Sequence, residues 1–81
     1  MDKLEVFEIL KRAPANIRFE EICKYAIYFG FGNKGRHGSH RIFVRQGIRE
    51  LLNFQNVKGM VKPYQVRQFI KIIEKYRLME G

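Results

Sequence analysis

The stretch that decides the fold is Gly35-Arg36-His37-Gly38-Ser39-His40-Arg41-Ile42-Phe43-Val44-Arg45, a basic, glycine-rich turn followed by a strand-like segment. From Ser39 to Gln46, branched and aromatic side chains alternate with arginines, which is typical of a β-strand. Alternation gives the strand two faces, one with His40, Ile42 and Val44 and the other with Arg41, Phe43 and Arg45. We expect Ile42 and Val44 to pack against helices, which leaves the arginines and Phe43 open and puts His40 on the helix side, at the rim of the sheet.

Two helices are predicted before this stretch. Leu4, Phe7 and Leu10 form the apolar face of a short helix that ends before Pro14. Asn16 is the expected N-cap of a second helix, with Glu20 and Glu21 in its first turn. The second helix has an apolar face and ends at Gly30; its predicted core residues are Phe19, Ile22, Cys23, Tyr25, Ala26 and Phe29.

Two further strands and a last helix complete the expected fold. Residues 31–36 are predicted as a short strand or an irregular turn, and residues 51–57 as a third strand before the turn at 58–60. Pro63 is expected to open a final helix, since its missing N–H costs nothing at that position. An apolar stripe follows at helical spacing: Val66, Phe69, Ile70, Ile73 and Tyr76. The prediction is one α+β domain over residues 1–81, in the order α-α-β-β-β-α, with a three-stranded antiparallel sheet and helices on one face.

The net charge of +8 is concentrated in the second part of the chain. Residues 1–30 carry five basic and five acidic groups, whereas residues 31–81 carry eleven basic groups against three acidic ones. Between Lys34 and Arg49 there are five cations and no acid. This one-sided pattern favours a polyanionic partner, with nucleic acid first and an acidic protein second.

Several classes of protein are disfavoured by composition. Cys23 is the single cysteine, so neither an internal disulfide nor a cysteine-based metal site is expected. Two histidines without a carboxylate between Phe31 and Arg49 do not form a metal ligand set, and no cofactor motif is present. The acidic N-terminus does not resemble a signal peptide, and the longest apolar run is too short to span a membrane. The sequence predicts a soluble cytoplasmic protein.

His40 is the candidate for acid–base chemistry. Cleavage of RNA requires a base to take a proton from the 2′-hydroxyl, an acid to protonate the leaving 5′-oxygen, and cations near the phosphate. Histidine titrates near neutral pH and can perform either transfer. On spacing alone, a structural histidine is the more common case. For His37, an exposed loop position is favoured over a role as acid–base partner.

A set of residues around His40 is predicted to contact RNA. Gly38 would let a phosphate approach the backbone, Ser39 could donate a hydrogen bond, and Phe43 could stack on an unpaired base or instead cap the core. Arg67, Lys71 and Lys75 form a cationic ridge on the last helix that is either solvated or in contact with phosphate. The full set of predicted RNA-binding residues is Lys34, Arg36, Gly38, Ser39, Arg41, Phe43, Arg45, Lys62, Arg67 and Lys71.

Three segments together resemble the HicA toxin family of toxin–antitoxin pairs. They are Phe29-Gly30-Phe31, Gly38-Ser39-His40-Arg41-Ile42-Phe43 and Lys62-Pro63-Tyr64-Gln65-Val66-Arg67-Gln68-Phe69. The resemblance covers residues 17–78, and residues 1–13 form an additional N-terminal helix. It implies a fold like the double-stranded RNA-binding domain, metal-independent cleavage of mRNA, His40 as the catalytic residue, and an HicB-type antitoxin as partner.

The chain also departs from that family. Many members have a second histidine directly after the Gly-Ser-His motif, where this chain has Arg41, and the third strand has no histidine either. The second acid–base group is therefore left open between His37, Ser39, a lysine and water. Two other functions remain: a non-catalytic RNA-binding module of the same fold, and a basic protein-interaction domain.

Overall fold

The computed structural model describes residues 1–80 as three α-helices, a short 3₁₀ turn and a three-stranded antiparallel sheet. In chain order the elements are α1 (Lys3–Arg12), the 3₁₀ turn (Pro14–Asn16), α2 (Phe19–Tyr28), β1 (Gly32–His37), β2 (His40–Val44), β3 (Leu52–Gln55) and α3 (Pro63–Lys75). The strands lie in the order β1-β2-β3, with β2 in the centre. The predicted α+β class and the order α-α-β-β-β-α are confirmed.

Helix α1 presents a different apolar face from the one predicted. Its buried residues are Val6 and Leu10, whereas Leu4 is 56% exposed, so the prediction for Leu4 is wrong. A strict spacing of three residues drifts around a helix with 3.6 residues per turn, while Val6 and Leu10 lie one turn apart on one face. Because both side chains are fully buried, α1 contributes directly to the core.

The two ends of α2 are set by different devices. Arg18, not Asn16, is the N-cap residue: Asn16 closes the 3₁₀ turn instead, and the Arg18 N–H donates to Glu21 Oε1 at 3.1 Å. At the other end, Gly30 adopts φ 86° and its N–H donates to the Ile27 carbonyl, while the Phe31 N–H donates to the Ala26 carbonyl. These two bonds form a Schellman motif, which confirms Gly30 as the stop.

The three strands form a simple antiparallel meander. Strands β1 and β2 are joined by Gly38 and Ser39, with Gly38 at φ 57°, and a β-bulge in β1 lies between Asn33 and Gly35. Strand β3 pairs with β2 and is shorter than predicted, covering four residues. After β3, a two-residue turn with both central residues at positive φ, Lys58 and Gly59, leads the chain toward α3.

The core lies between the sheet and the helices. The ring of Phe69 on α3 contacts Phe29, Phe31 and Phe54, with centroid distances of 5.7, 5.9 and 5.9 Å. The apolar stripe on α3 is buried at Val66, Phe69 and Ile73 and half-buried at Ile70 and Tyr76, as predicted. Edge-to-face contacts between aromatic rings add to the free energy gained from their burial. The helices thus cover one face of the sheet, and we call the uncovered side the open face.

The predicted orientation of β2 is wrong. Phe43 is 1% exposed and pairs with the buried Leu52, and its ring lies 5.9 Å from that of Phe54, so its side of the strand faces the helices. Val44 on the other side is 37% exposed. Since alternate residues of a strand point to opposite faces, Arg41 and Arg45 turn toward the helices with Phe43, and His40 turns to the open face with Ile42 and Val44.

Candidate functional site

His40 lies at the start of the central strand, where it is partly exposed on the open face. Its Nδ1 atom is 2.9 Å from Oδ1 of Asn53, which projects from β3 between the buried Leu52 and Phe54. An amide oxygen can only accept a hydrogen bond, so this contact requires the proton of the neutral imidazole to lie on Nδ1. Nε2 then keeps its lone pair and is the atom able to accept a proton.

His37 lies directly beside His40. The two histidines flank the Gly38-Ser39 turn as Cα partners of the β1–β2 pair. Direct partners in an antiparallel pair point to the same face, with Cβ atoms about 4.5–5.5 Å apart. His37 is exposed, as predicted, but it is the last residue of β1 on the open face, so its assignment to a loop is wrong.

The turn between the histidines is tied to the end of β3. The Asn56 N–H donates to the Ser39 carbonyl at 2.8 Å, and Gln55 Nε2 donates to Ser39 Oγ at 3.4 Å. A side chain added at Gly38 would meet no atom within 4 Å, so the backbone of the turn is open on that side. These contacts fix the Gly38-Ser39 turn against the end of β3.

The beginning of α3 reaches the same end of the sheet. Gln65, the one polar side chain among the buried residues of 1–80, accepts from the Gln55 N–H at 2.9 Å. This bond fixes the first turn of α3, which starts at Lys62 and Pro63, against the end of β3. The Gly-Ser-His segment and the Lys-Pro segment, which are far apart in sequence, are thereby brought together.

Arg41 is held under α2, away from the open face. Its guanidinium Cζ lies 5.0 Å from the centre of the Phe19 ring, and Nη1 lies 3.8 Å from Cys23 Sγ. Its Nε is buried without a hydrogen-bond partner within residues 1–80. Burial raises the pKa of the Cys23 thiol despite the opposing effect of Arg41, so Cys23 stays protonated and serves as a core residue, as predicted.

Phe43 and Arg45 also lie on the helix side of β2, away from any ligand on the open face. The ring of Phe43 is buried in the core, so it is not positioned to stack on a base. Arg45 Nη1 donates to the Phe29 carbonyl at 2.7 Å, which satisfies an otherwise free acceptor at the end of α2. Both residues stabilise the packing of α2 against the sheet, and their predicted positions on an open face are wrong.

The cationic ridge of α3 divides into two parts. Arg67 and Lys71 line a shallow groove with Lys11 of α1 and are exposed on the helical side of the molecule. Lys75 forms an ion pair with Glu50 at 2.7 Å. The ridge therefore lies on the helix layer, and the structure does not bring it together with His40.

The remaining predicted cations lie in β1 and at the start of α3, and Arg36 points to the helix side with Arg41, so its predicted place beside His40 is wrong. Lys34 lies in the bulge of β1, and Arg36 is an exposed residue whose Cα partner is Arg41. The three strands contain no aspartate or glutamate. Within residues 1–80, no group of three or more histidine, cysteine, aspartate or glutamate side chains could hold a metal ion. The strands thus supply two imidazoles and no carboxylate to the site.

Sequence reasoning selected His40 as the candidate and left His37 open as a second acid–base group, but it missed Asn53 and Gln55. Asn53 and Gln55 carry no motif, and only the register of β3 brings them to β2. The pairing of His37 with His40 could have been predicted, because Gly-Ser between two strand-like segments is typical of a two-residue hairpin loop. Such a loop would have made His37 and His40 neighbours.

Comparison of the chain with protein-family models, with curated proteins and with solved structures found no match. None of the helices within residues 1–80 is both long enough and apolar enough to cross a bilayer.

Proposed function

We propose that this protein is an endoribonuclease that cleaves mRNA without a metal ion, with His40 as a proton-transfer group. The observation that carries the proposal is the partly exposed His40 imidazole, whose Nδ1 is held by Asn53 while Nε2 is left as a proton acceptor. A base of this kind must come within hydrogen-bond reach of the proton that it removes. An imidazole on an uncovered sheet face can reach the 2′-hydroxyl of a ribose without any movement of the core.

The charge distribution supports an RNA substrate. The chain carries a net charge of +8, Lys34 lies in the bulge of β1, and Lys62 lies at the start of α3, which Gln65 ties to the end of β3. Cations attract the phosphate backbone and stabilise the charge that develops on the phosphorus oxygens during cleavage. Ser39 adds a hydroxyl that can donate to a phosphate oxygen. Arg41, Phe43 and Arg45 act in this proposal as packing residues.

The biological role that we propose is that of a toxin in a toxin–antitoxin pair. The support is the resemblance to the HicA family over residues 17–78, with its likeness to the double-stranded RNA-binding domain. The protein would act on mRNA in the cytoplasm, and an HicB-type antitoxin would bind it and mask the open face. Co-expression with the product of a neighbouring reading frame should relieve growth inhibition if that product is the antitoxin.

The test is incubation of the purified protein with a long single-stranded RNA in EDTA. We expect fragments that end in a 2′,3′-cyclic phosphate, and no cleavage of the DNA of the same sequence, because only RNA has the attacking hydroxyl. His40→Ala should abolish cleavage and growth inhibition while leaving the thermal midpoint nearly unchanged, since the side chain lies outside the core. Full cleavage by this folded variant would remove His40 from the mechanism.

Cleavage and binding of the same RNA distinguish the proposed nuclease from the two other functions. RNA that is bound but stays intact would favour a non-catalytic RNA-binding module, in which the histidines contact phosphate. Absence of salt-sensitive RNA binding would favour a domain that binds an acidic protein, because phosphate contacts weaken steeply as salt rises.

A further inference from the structure

We infer that His37 is the second proton-transfer group of this site, the acid that protonates the leaving oxygen. This inference rests on the proposed ribonuclease function and names the residue that completes it. His37 and His40 are Cα partners on either side of the two-residue turn, and both point to the open face. The geometry places two imidazoles side by side on the open face, at the end of the sheet where β1 turns into β2.

The surroundings of the two imidazoles differ, and the difference assigns their roles. Nδ1 of His40 is engaged by Asn53 at 2.9 Å, so the neutral form presents Nε2 as a base. His37 is exposed, and within residues 1–80 its ring has no hydrogen-bond partner. Asn53 would also stabilise the His40 imidazolium as it forms, because its oxygen accepts from Nδ1–H. His37 is free to turn its ring toward the leaving group.

Other acids and bases are poorly placed for this role. The strands that form the open face contain no carboxylate, and the Cys23 thiol is buried below the opposite face. Lysine and arginine side chains stay protonated near neutral pH and serve better as phosphate contacts than as proton donors. His37 is the histidine that stands beside His40 on the open face, and histidine is the side-chain type best suited to proton transfer near neutral pH.

The step is balanced by these two residues alone. The ribose 2′-oxygen forms a bond to phosphorus as His40 Nε2 takes its proton, and the bond from phosphorus to the 5′-oxygen breaks as the His37 imidazolium gives that oxygen a proton. The products are a 2′,3′-cyclic phosphate and a free 5′-hydroxyl, with no water consumed and no redox change. Proton exchange with solvent then returns both histidines to their starting forms.

The test compares two substrates that differ in their need for an acid. One is a ribodinucleotide, whose 5′-oxygen must be protonated as it leaves, and the other is uridine 3′-(4-nitrophenyl phosphate), whose nitrophenolate leaves without a proton. We expect His37→Gln to lower kcat for the dinucleotide by about 10²–10⁴-fold and to change that for the nitrophenyl ester only a few-fold. His40→Gln should lose activity on both substrates, because both need the base.

Glutamine matters in this design because it retains the size and hydrogen-bonding capacity of histidine but transfers no proton at neutral pH. If His37 only positions the turn or binds phosphate, His37→Gln will retain activity, or will lose it equally on both substrates; either result overturns the assignment. The thermal midpoint of His37→Gln should match that of the wild type, and His37→Ala repeats the test if it does not. A wild type that cleaves neither substrate defeats the ribonuclease proposal itself, and this assignment with it.

Discussion

Asn53 Oδ1 lies 2.9 Å from His40 Nδ1, although the direct Cα partner of His40 on β3 is Gln55. The contact is diagonal across two strands and joins two side chains that share the open face. It fixes one ring nitrogen of His40 and leaves the other for a substrate. The sheet register, more than any local motif, therefore determines which ring nitrogen of His40 is available to a substrate.

Asn53→Ala should lower kcat for RNA cleavage with little change in KM. A hydrogen bond of this type is worth about 0.5–1.5 kcal/mol, which corresponds to about a two- to tenfold loss. Asn33→Ala is the matched control, because Asn33 is an exposed strand asparagine that lines the groove beside Arg41 on the helix side. Steady-state kinetics on a short RNA provides the measurement, and equal losses in the two variants would contradict the role of Asn53.

Lys62→Ala and Lys71→Ala should differ in their effect on RNA binding. Lys62 lies at the start of α3, which Gln65 ties to the end of β3, whereas Lys71 lines the groove with Lys11 on the helical side. Each phosphate contact with single-stranded RNA contributes about 0.7 to the slope of log K against log salt. We expect Lys62→Ala to reduce that slope by about this amount and Lys71→Ala to leave it unchanged, measured with a non-cleavable 2′-O-methyl RNA. A larger effect from Lys71 would place the RNA on the helix layer.

Arg41→Ala should destabilise the fold by about 1–2 kcal/mol. The guanidinium packs over Phe19 at 5.0 Å, and its removal eliminates both a cation–π contact and the packing of the aliphatic stem. Arg36 is its exposed partner across the hairpin, so Arg36→Ala should change the free energy of unfolding by less than about 0.5 kcal/mol. Urea denaturation of both variants checks the prediction. If they are equally stable, Arg41 does not stabilise the packing of α2 on the sheet.

Gly30→Ala should also destabilise the protein, by about 1–2 kcal/mol. Gly30 has φ 86°, and a Cβ there would lie 3.2 Å from Nε of Arg45, the arginine that caps the end of α2. Gly35→Ala is the matched control, because Gly35 has open space around it and no positive φ; it should be neutral or slightly stabilising. Thermal unfolding of the two variants would contradict this interpretation if Gly35→Ala were the less stable.

Glu50→Gln should lower the thermal midpoint at neutral pH but not at pH 2. Glu50 accepts from Lys75 at 2.7 Å and from the Tyr76 hydroxyl at 2.6 Å, and these bonds lower its pKa from 4.5 to about 2. A carboxylate whose pKa is lowered by folding stabilises the folded state above its unfolded pKa and loses that effect as the pH falls through the folded pKa. The difference between wild type and variant should therefore shrink from about pH 4.5 toward pH 2.

Glu74→Gln is the control for this titration, since Glu74 is an exposed glutamate beside Lys75 in sequence. The thermal midpoint of Glu74→Gln should follow that of the wild type through the acid range. A difference for Glu50→Gln that stays constant down to pH 2 would show that the ion pair and the tyrosine bond do not contribute as the geometry indicates.

Local chemistry made much of the fold predictable. Gly30 ends α2 because glycine accepts the left-handed backbone that the Schellman motif requires, and Pro63 opens α3 because it needs no hydrogen-bond acceptor at that position. The apolar stripes of α2 and α3 were recognisable because a buried helix face repeats every 3.6 residues. His40 was identified from its setting of glycine, serine and cations.

The orientation of β2 was decided by tertiary structure. Both of its faces mix apolar and polar residues, and local polarity favours turning Ile42 and Val44 inward. The folded chain turns Phe43 inward instead, because Phe54 provides a partner ring on the same face and α2 offers Phe19 and a free carbonyl to the two arginines. The residue pattern of a strand does not show which of its side chains will find packing or hydrogen-bond partners on the helices opposite.

The sequence by itself therefore determined the element order, the C-terminal ends of α1 and α2 and the start of α3, and it singled out His40 as the candidate, since each depends on neighbouring residues in the chain. Only the tertiary structure decided which face of the sheet is open and which residues stand beside His40. The reason is that both faces of β2 mix apolar and polar residues, and the choice between them, together with the position of Asn53 beside His40, depends on contacts made by residues distant in sequence.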